Sequence, residues 1–203
     1  MTDQYSPLYH ERSPENFVRL KQIPLLRTLS LPLNPDMLDQ PNQFTRRQST
    51  EITTEYLMTY LAPLDAPTPI DSSLMIVNVK PTGGWAQGPA ISGTFISPGG
   101  DWLRIMPSGA MRLDVRATLK TDDGALIYLS YSGIVQHSAE STEKLNKGEP
   151  LTRQEMPYFI TAPTFQTAAP KYAWLNSVQA IGKAVALKLG EDGYVKYDVF
   201  IVR

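Results

Sequence analysis

Apolar and polar residues alternate along most of the chain after residue 54. In the stretch 111–120, "MRLDVRATLK", the odd positions are apolar and the even positions are polar. Because successive side chains of a β-strand point to opposite faces, this pattern predicts a strand with one packed face. The same reasoning predicts ten strands, at 54–61, 73–80, 91–97, 101–107, 111–120, 125–135, 157–168, 172–178, 180–190 and 193–202.

Turn signals separate the predicted strands. The segments "PTGG", "SPGG", "PSG", "TDDG" and "EDG" each combine proline or an acidic residue with glycine, which tolerates the backbone angles of tight turns. Only one helix is indicated in this part of the chain, at 138–147, and Gly148 is a suitable residue to end it. Many short strands at even spacing predict an all-β fold, an antiparallel barrel or sandwich.

The first fifty residues follow a different pattern. Six prolines fall between positions 7 and 41, which excludes long regular elements. A short helix is predicted from Ser13, its N-cap, to Ile23. The leucine-rich "LLRTLSLPL" at 25–33 could belong to a disordered tail, but we favour docking on the domain or on a second subunit. We therefore expect an N-terminal arm at 1–50, mediating homo-oligomerisation, and a barrel domain at 51–203.

Composition narrows the function classes. The chain has 203 residues, 42% hydrophobic and 19% charged, which suits a packed domain. A net charge of −1 gives no basic surface for nucleic acid or an anionic membrane. The chain has no cysteine, which excludes disulfides and thiolate chemistry and fits a reducing compartment. Without a recognisable signal peptide or membrane span, we expect a cytoplasmic protein.

Two longer segments resemble a known family. They are "GGDWLRIMPSGAMRLDVRATLKTDDGALIYLSYSGI" at 99–134 and "YFITAPTFQTAAPKYAWLNS" at 158–177. Together they resemble the DUF3237 family, also called UPF0311, over roughly residues 54–203. The resemblance implies an antiparallel β-barrel of lipocalin-like or streptavidin-like shape. It implies little about chemistry, because a fold alone does not define a reaction.

Several kinds of site are excluded by residue counts. The only histidines are His10 and His137, so a three-histidine metal site cannot form. No Gly-x-Ser-x-Gly motif supports a serine nucleophile. The "TDDG" at 121–124 is explained by a β-turn without a metal. We therefore expect no metal and no cofactor.

Asp114 and Arg116 are the first candidate site. They lie two positions apart on one face of the strand 111–120, about 6.6–7 Å from each other. Pattern alone favours an exposed ion pair on the outside of the barrel, worth ~0–1 kcal/mol. The resemblance includes both positions and favours a pocket lining instead. We expect the pair to line the barrel interior, with Asp114 as base and Arg116 or Asn176 holding a developing oxyanion.

Further candidates lie on neighbouring strands. Tyr128 and Tyr131 point to opposite faces of the return strand, so the turn register decides which one accompanies Arg116. We expect Tyr131 to be catalytic. The residues expected to bind the ligand are Trp102, Arg104, Tyr128, Tyr172, Trp174 and Asn176. A core aromatic cluster, with Asn176 bonded to backbone, is the alternative for the last three.

If these side chains converge, the pocket has aromatic walls and a few polar groups. It would bind a small hydrophobic molecule bearing an anionic or carbonyl oxygen. The chemistry open to it is cofactor-free acid–base catalysis: isomerisation, dehydration or cyclisation. Two other functions remain open. One is a non-catalytic carrier or sensor that uses the same pocket, and the other is a structural or accessory subunit whose barrel is filled.

Overall fold

The computed structural model describes residues 51–203. They are mainly β-structure, as the alternation predicts. The strands are β1 (Thr54–Pro63), β2 (Thr68–Pro69), β3 (Leu74–Asn78), β4 (Trp85–Gln87), β5 (Ser92–Ile105), β6 (Met111–Thr121), β7 (Leu126–Gln136), β8 (Leu151–Thr152), β9 (Tyr158–Gln166), β10 (Ala180–Lys188) and β11 (Tyr194–Val202).

Eight of these strands close into an antiparallel barrel. Its order is β5-β4-β1-β11-β10-β9-β7-β6, and β6 pairs with β5 to complete the ring. The small strands β3 and β2 extend the sheet beside the second half of β5, and β8 pairs with β10. The predicted barrel is confirmed. An eight-stranded barrel is narrow enough to be filled by side chains or to hold one small ligand.

Strand β5 is one long element where the sequence predicts two. The "SPGG" at 97–100 was expected to be a turn, but it forms a bulge within the strand. Ile96 pairs with Thr118 and Gly100 pairs with Arg116, so β5 carries two extra residues over this interval. Pro98 has no N–H for a ladder, which fits a bulge. Two extra residues preserve the alternation, so the inward and outward faces continue past the bulge.

The hairpin of β6 and β7 matches the sequence prediction closely. The Gly124 N–H donates to the Thr121 carbonyl, and Gly124 adopts a φ of 87°. This positive φ is the conformation that glycine accepts at little cost. The resulting register pairs Val115 with Tyr131 and Thr118 with Tyr128. Arg116 therefore shares its face with Tyr128, as expected for a bulged turn.

One α-helix, α1 (Ala139–Asn146), follows β7. The Ser138 hydroxyl accepts the Ser141 N–H at its start, and Gly148 adopts a positive φ after its end. Both features match the prediction from the sequence. The stretch predicted as a strand at 172–178 is instead a 3₁₀ helix, Pro170–Ser177. That prediction was wrong because Pro170 begins a helical turn, which two-residue alternation over so short a segment does not reveal.

The predictions for the N-terminal arm at 1–50, including its helix and its role in oligomerisation, lie outside the described residues. Within residues 51–203, no helix is long and apolar enough to cross a membrane.

Candidate functional site

One half of the barrel interior is filled and the other half encloses a cavity. In the filled half, inward side chains such as Met58, Leu119, Ile127 and Leu129 have no solvent exposure. In the other half, the interior contains a cavity of about 320 Å³, which falls in the range of small-molecule sites. Its wall is mostly leucine, valine and methionine from β3, β5, β6, β10 and β11, and α1 borders one side.

Three tyrosines lie across the barrel at the inner end of this cavity. Tyr60 and Tyr197 are paired residues on β1 and β11, and their ring centroids are 5.1 Å apart. Tyr131 projects from β7 on another part of the wall. The Tyr60 hydroxyl donates to the Tyr131 hydroxyl at 3.1 Å, which joins the two sides. All three are buried, and Tyr131 and Tyr197 line the cavity directly.

Asp101 places a carboxyl group in the same cavity. It pairs with Val115 on β6, and Val115 pairs with Tyr131 on β7, so the three residues form one row across three strands. At about 4.8 Å between strands, the Cα atoms of Asp101 and Tyr131 are about 10 Å apart. Both side chains line the cavity. The row therefore brings a carboxyl and a phenol to the same depth in an otherwise apolar space.

Burial determines the protonation of Asp101. Loss of solvation raises the pKa of this carboxyl to about 6, and the charge of Asp114 acts in the same direction. The Asp114 N–H donates to Asp101 Oδ1 at 2.9 Å, which partly opposes the rise. A carboxyl with a pKa near 6 exchanges protons readily near neutral pH, which suits an acid–base group.

The hydrogen bond from Tyr60 to Tyr131 leaves the Tyr131 proton available. Burial raises the pKa of Tyr60, Tyr131 and Tyr197, so all three are neutral phenols at pH 7. The hydrogen bond from Tyr60 acts against the rise in the pKa of Tyr131. Tyr131 is thus the acceptor in this cluster, and its own O–H can donate to a ligand.

His137 borders the cavity just beyond the end of β7, near α1. Its Nδ1 atom is buried and has no hydrogen-bond partner among residues 51–203. Burial lowers the pKa of this imidazole, so it is neutral at pH 7. Within the described part of the chain, no three acidic, histidine or cysteine side chains cluster as metal ligands.

Asp114 and Arg116 lie on the outside of the barrel, so the expected interior position is wrong. Their side chains are 58% and 50% exposed and form an ion pair of 2.8 Å. The reason is the alternation itself, because the odd positions of β6, such as Leu113 and Val115, occupy the interior. The β6 residues that line the cavity are Met111, Leu113 and Val115 of the opposite face.

Of the other predicted residues on β5 and β7, only Tyr131 reaches the cavity. Trp102, Arg104 and Tyr128 are exposed on the outer face. The Arg116 guanidinium lies over the Trp102 ring, 5.5 Å from its centroid, as a cation–π pair. The outer face of β5 and β6 therefore holds a charged and aromatic surface that is separated from the cavity by the barrel wall.

The three candidates at 172–176 do not line the cavity either. In the 3₁₀ helix, Tyr172 is buried and its hydroxyl donates to Asp123 in the β6–β7 turn. Trp174 is 37% exposed. The Asn176 side chain accepts the Thr167 N–H and donates to the Thr167 carbonyl. Asn176 is therefore bonded to backbone, as the alternative interpretation held, and the predicted shared face does not exist.

Sequence reasoning missed Asp101, Tyr60, Tyr197 and His137. For Asp101 and Tyr197 a signal was present in the alternation. Asp101 is in phase with the apolar Leu103 and Ile105, and Tyr197 is in phase with Val195 and Val199. A charged residue in the apolar phase of a strand indicates an interior position, and its burial requires an explanation.

Comparison with known families agrees with this architecture. The family model described as "Protein of unknown function (DUF3237)" matches residues 52–202. The chain belongs to the DUF3237 family. A UPF0311 protein of Rhodopseudomonas palustris is 36% identical over 102 residues, which cover 50% of this chain and 66% of that protein. This match spans slightly less than two thirds of the relative. A UPF0311 protein of Bradyrhizobium diazoefficiens is 30% identical over 123 residues, 60% of this chain and 80% of its own length.

Solved structures similar to this barrel include two bacterial proteins. A conserved protein of unknown function from Rhodopseudomonas palustris has a TM-score of 0.67 at 30% identity, covering 76% of this chain and 99% of that one. A β-barrel-like protein from Acinetobacter baumannii has a TM-score of 0.60 at 32% identity, covering 78% and 100%. An enzyme from Penicillium herquei has a TM-score of 0.50 at 23% identity, covering 76% and 96%, and shares the fold alone.

Proposed function

We propose that the cavity binds a small, mostly apolar molecule with a carbonyl or hydroxyl oxygen, and that Asp101 performs acid–base chemistry on it. The observation that supports this is a half-buried carboxyl in a mostly apolar cavity, level with the hydroxyl-bearing Tyr131. Groups with shifted pKa values inside a cavity are typical of functional sites. The cavity itself argues against a barrel filled from end to end.

The proposed reaction is a proton transfer at carbon. The Asp101 carboxylate removes a proton from the carbon beside a ligand carbonyl, and the C–H electron pair forms the enolate. Tyr131 donates a hydrogen bond to the oxygen where negative charge develops. The protonated Asp101 then returns the proton to the same or a conjugated carbon. This sequence accounts for isomerisation. In dehydration, the protonated Asp101 instead gives its proton to a hydroxyl on the β-carbon of the enolate, which leaves as water. In cyclisation, Asp101 takes the proton of an internal hydroxyl as that oxygen attacks the conjugated carbon, and returns it to the enolate carbon.

Tyr60 and Tyr197 are positioning residues in this scheme. The Tyr60 hydroxyl donates to the Tyr131 hydroxyl at 3.1 Å, and the Tyr197 ring packs edge-on against the Tyr131 ring. Because Tyr60 donates to Tyr131, the Tyr131 proton is directed away from Tyr60. The oxyanion-holding role expected of Arg116 or Asn176 passes to Tyr131, since neither lines the cavity and no arginine or lysine among residues 51–203 does.

A carrier that binds without turnover is the second candidate. It is favoured by the lining, which is apolar apart from a few groups and needs no chemistry to hold a hydrophobic molecule. Both candidates share the same ligand class. They differ in whether the protein accelerates proton exchange, so one measurement separates them.

The test follows deuterium incorporation into 2-tetralone, an apolar enolisable ketone, by NMR in D₂O. The wild-type protein should accelerate exchange, and Asp101→Asn should lower the rate at least about 100-fold. Asp114→Asn is the matched control, because its side chain lies outside the wall. The wild-type rate should rise with pH through about 6, because the base must be ionised and its pKa is about 6.

Two other outcomes have clear meanings. Binding of the ketone without accelerated exchange would favour the carrier. Equal loss of exchange in Asp101→Asn and Asp114→Asn would contradict the assignment of Asp101, because only one of these side chains lines the cavity.

A further inference from the structure

The cavity has polar groups at two levels, separated by an apolar interval. Tyr131 lies on β7 and His137 lies one residue past its end, six residues apart in the same alternation, and both line the cavity. At about 3.3 Å per residue, their Cα atoms are about 20 Å apart along the strand. The wall between them is formed by side chains such as Leu113, Met111 and Val135. A ligand that meets both levels must therefore be elongated, with an apolar middle.

The level near α1 has an unsatisfied hydrogen-bonding atom. His137 Nδ1 is buried and has no partner among the described residues, and buried polar atoms are nearly always paired. Thr142 and Asn146 of α1 border the same part of the cavity. A neutral imidazole nitrogen is a donor in one tautomer and an acceptor in the other. A hydroxyl group satisfies both tautomers, because it donates and accepts.

The charge of the lining restricts the ligand further. Asp101 is the one acidic residue among the cavity-lining residues of 51–203, and that lining includes no lysine or arginine. A carboxylate or phosphate in this space would lose its hydration, gain no counter-charge and lie near Asp101. The described lining therefore disfavours acids, and of the two expected oxygens, anionic or carbonyl, it favours the uncharged one.

We infer that the ligand is an elongated, uncharged apolar molecule with an oxygen that meets Asp101 and Tyr131 at one end and a hydroxyl that pairs with His137 at the other. This inference rests on the proposed function, because it takes the Asp101 end of the cavity as the place of chemistry. It adds a second recognition point, and it makes His137 a specificity-determining residue that has no part in the proton transfer.

Calorimetric titration of the full chain at pH 7.5 tests this with three probes of equal chain length. They are 1-decanol, 1,10-decanediol and decanoate. The second hydroxyl of the diol should tighten binding about tenfold relative to the alcohol, if it makes one hydrogen bond to a buried group. Decanoate should bind at least about tenfold more weakly than decanol, because its charge has no partner.

Substitutions of His137 connect the preference to this residue. His137→Leu should remove the preference for the diol, because the second hydroxyl then loses hydration without gaining a partner. His137→Asn should retain it, since an amide can place a polar atom close to the position of Nδ1. Gln136→Leu is the matched control, because Gln136 is exposed on the outer face of β7, and it should behave as wild type.

The outcomes separate this inference from the proposed function. An unchanged diol preference in His137→Leu, or decanoate binding as tight as that of decanol, would overturn the inference. The dependence of 2-tetralone exchange on Asp101 would still support the proposed function in that case. Failure of all three probes to bind, together with no acceleration of exchange, would overturn both.

Discussion

Asp101 and Asp114 are joined by a hydrogen bond from the Asp114 N–H to Asp101 Oδ1, yet their side chains lie on opposite sides of the barrel wall. Inside, burial raises the pKa of Asp101 to about 6. Outside, Asp114 pairs with Arg116 in contact with solvent. The same residue type therefore serves as a candidate acid–base group at one position and as a surface ion-pair partner at the other. The difference depends only on strand phase.

The pKa of Asp101 predicts a pH-dependent cost to stability. Between about pH 4 and 6 the folded protein binds more protons at this group than the unfolded chain does, so its contribution to stability falls as pH rises through that window. The total effect is about 3 kcal/mol, because one pKa unit corresponds to about 1.4 kcal/mol. Asp101→Asn should therefore gain stability relative to wild type from pH 4 to 7, measured by urea unfolding at each pH.

The difference in unfolding free energy between Asp101→Asn and wild type isolates the contribution of the Asp101 carboxyl. Carboxyls with lowered pKa values, such as Glu155, weaken the fold as pH falls, but they are present in both proteins and cancel. In Asp114→Asn, the unfolding free energy should change with pH almost as it does in wild type. If the difference in unfolding free energy between Asp101→Asn and wild type stays constant from pH 4 to 7, the Asp101 carboxyl is solvated and the prediction is contradicted.

Asp114 and Arg116 should show little energetic coupling. Their side chains are about half exposed, and exposed ion pairs are worth about 0–1 kcal/mol. Arg116→Leu also loses its contact with the Trp102 ring, but that loss appears in both arms of a double-mutant cycle and cancels. Urea unfolding of the two single variants and the double variant measures the coupling. A coupling of several kcal/mol would mean that this face is covered in solution.

At the scale of the elements, prediction succeeded where one physical signal dominated. Strands β6 and β7 alternate cleanly and meet at a glycine turn, so their bounds follow from the sequence. Strand β5 was divided because a Pro-Gly-Gly run is typical of turns, and only pairing with Arg116 and Thr118 shows that it is a bulge. The 3₁₀ helix Pro170–Ser177 is set by its contacts with neighbouring elements, including the turn at Asp123, which local sequence does not contain.

The 3₁₀ helix and a strand would differ in which alanine substitutions lower the stability most. Residues three apart share a face in such a helix, and Tyr172 and Leu175 are its two buried residues. Leu175→Ala should therefore cost about 2–5 kcal/mol of unfolding free energy, as for other buried leucines. Trp174→Ala should cost less than Leu175→Ala despite removing a larger side chain, because Trp174 is 37% exposed. Thermal or urea unfolding of both variants measures these losses. A larger loss for Trp174→Ala than for Leu175→Ala would contradict the helical arrangement and indicate a strand.

At the scale of the whole molecule, the barrel was predictable and its division into a filled and an open half was not. Alternation along each strand shows which residues face inward. Whether they fill the interior depends on the combined volume of the side chains that eight strands place at the same height in the barrel. That combination is set by the register of the strands. Tyr60, Tyr131 and Tyr197 come from three strands far apart in the sequence, and only their assembly separates the two halves. The cavity, and with it the role of Asp101, follows from that assembly.

The two halves should respond differently to the same substitution. Leu129 belongs to the filled half and has no exposure, so Leu129→Ala leaves a new void and should cost about 3–5 kcal/mol. Leu113, on the paired strand, lines the existing cavity. Leu113→Ala enlarges an open space and loses fewer contacts, so it should cost about 1–2 kcal/mol less than Leu129→Ala.

Urea unfolding compares the stability of the two variants, and titration with decanol measures their ligand affinity. Because Leu113 borders the ligand space, its substitution should change decanol affinity, whereas Leu129→Ala should leave that affinity close to wild type. Equal losses of stability with unchanged binding in both variants would mean that the open half closes in solution, and the proposed ligand site would then have no space to occupy.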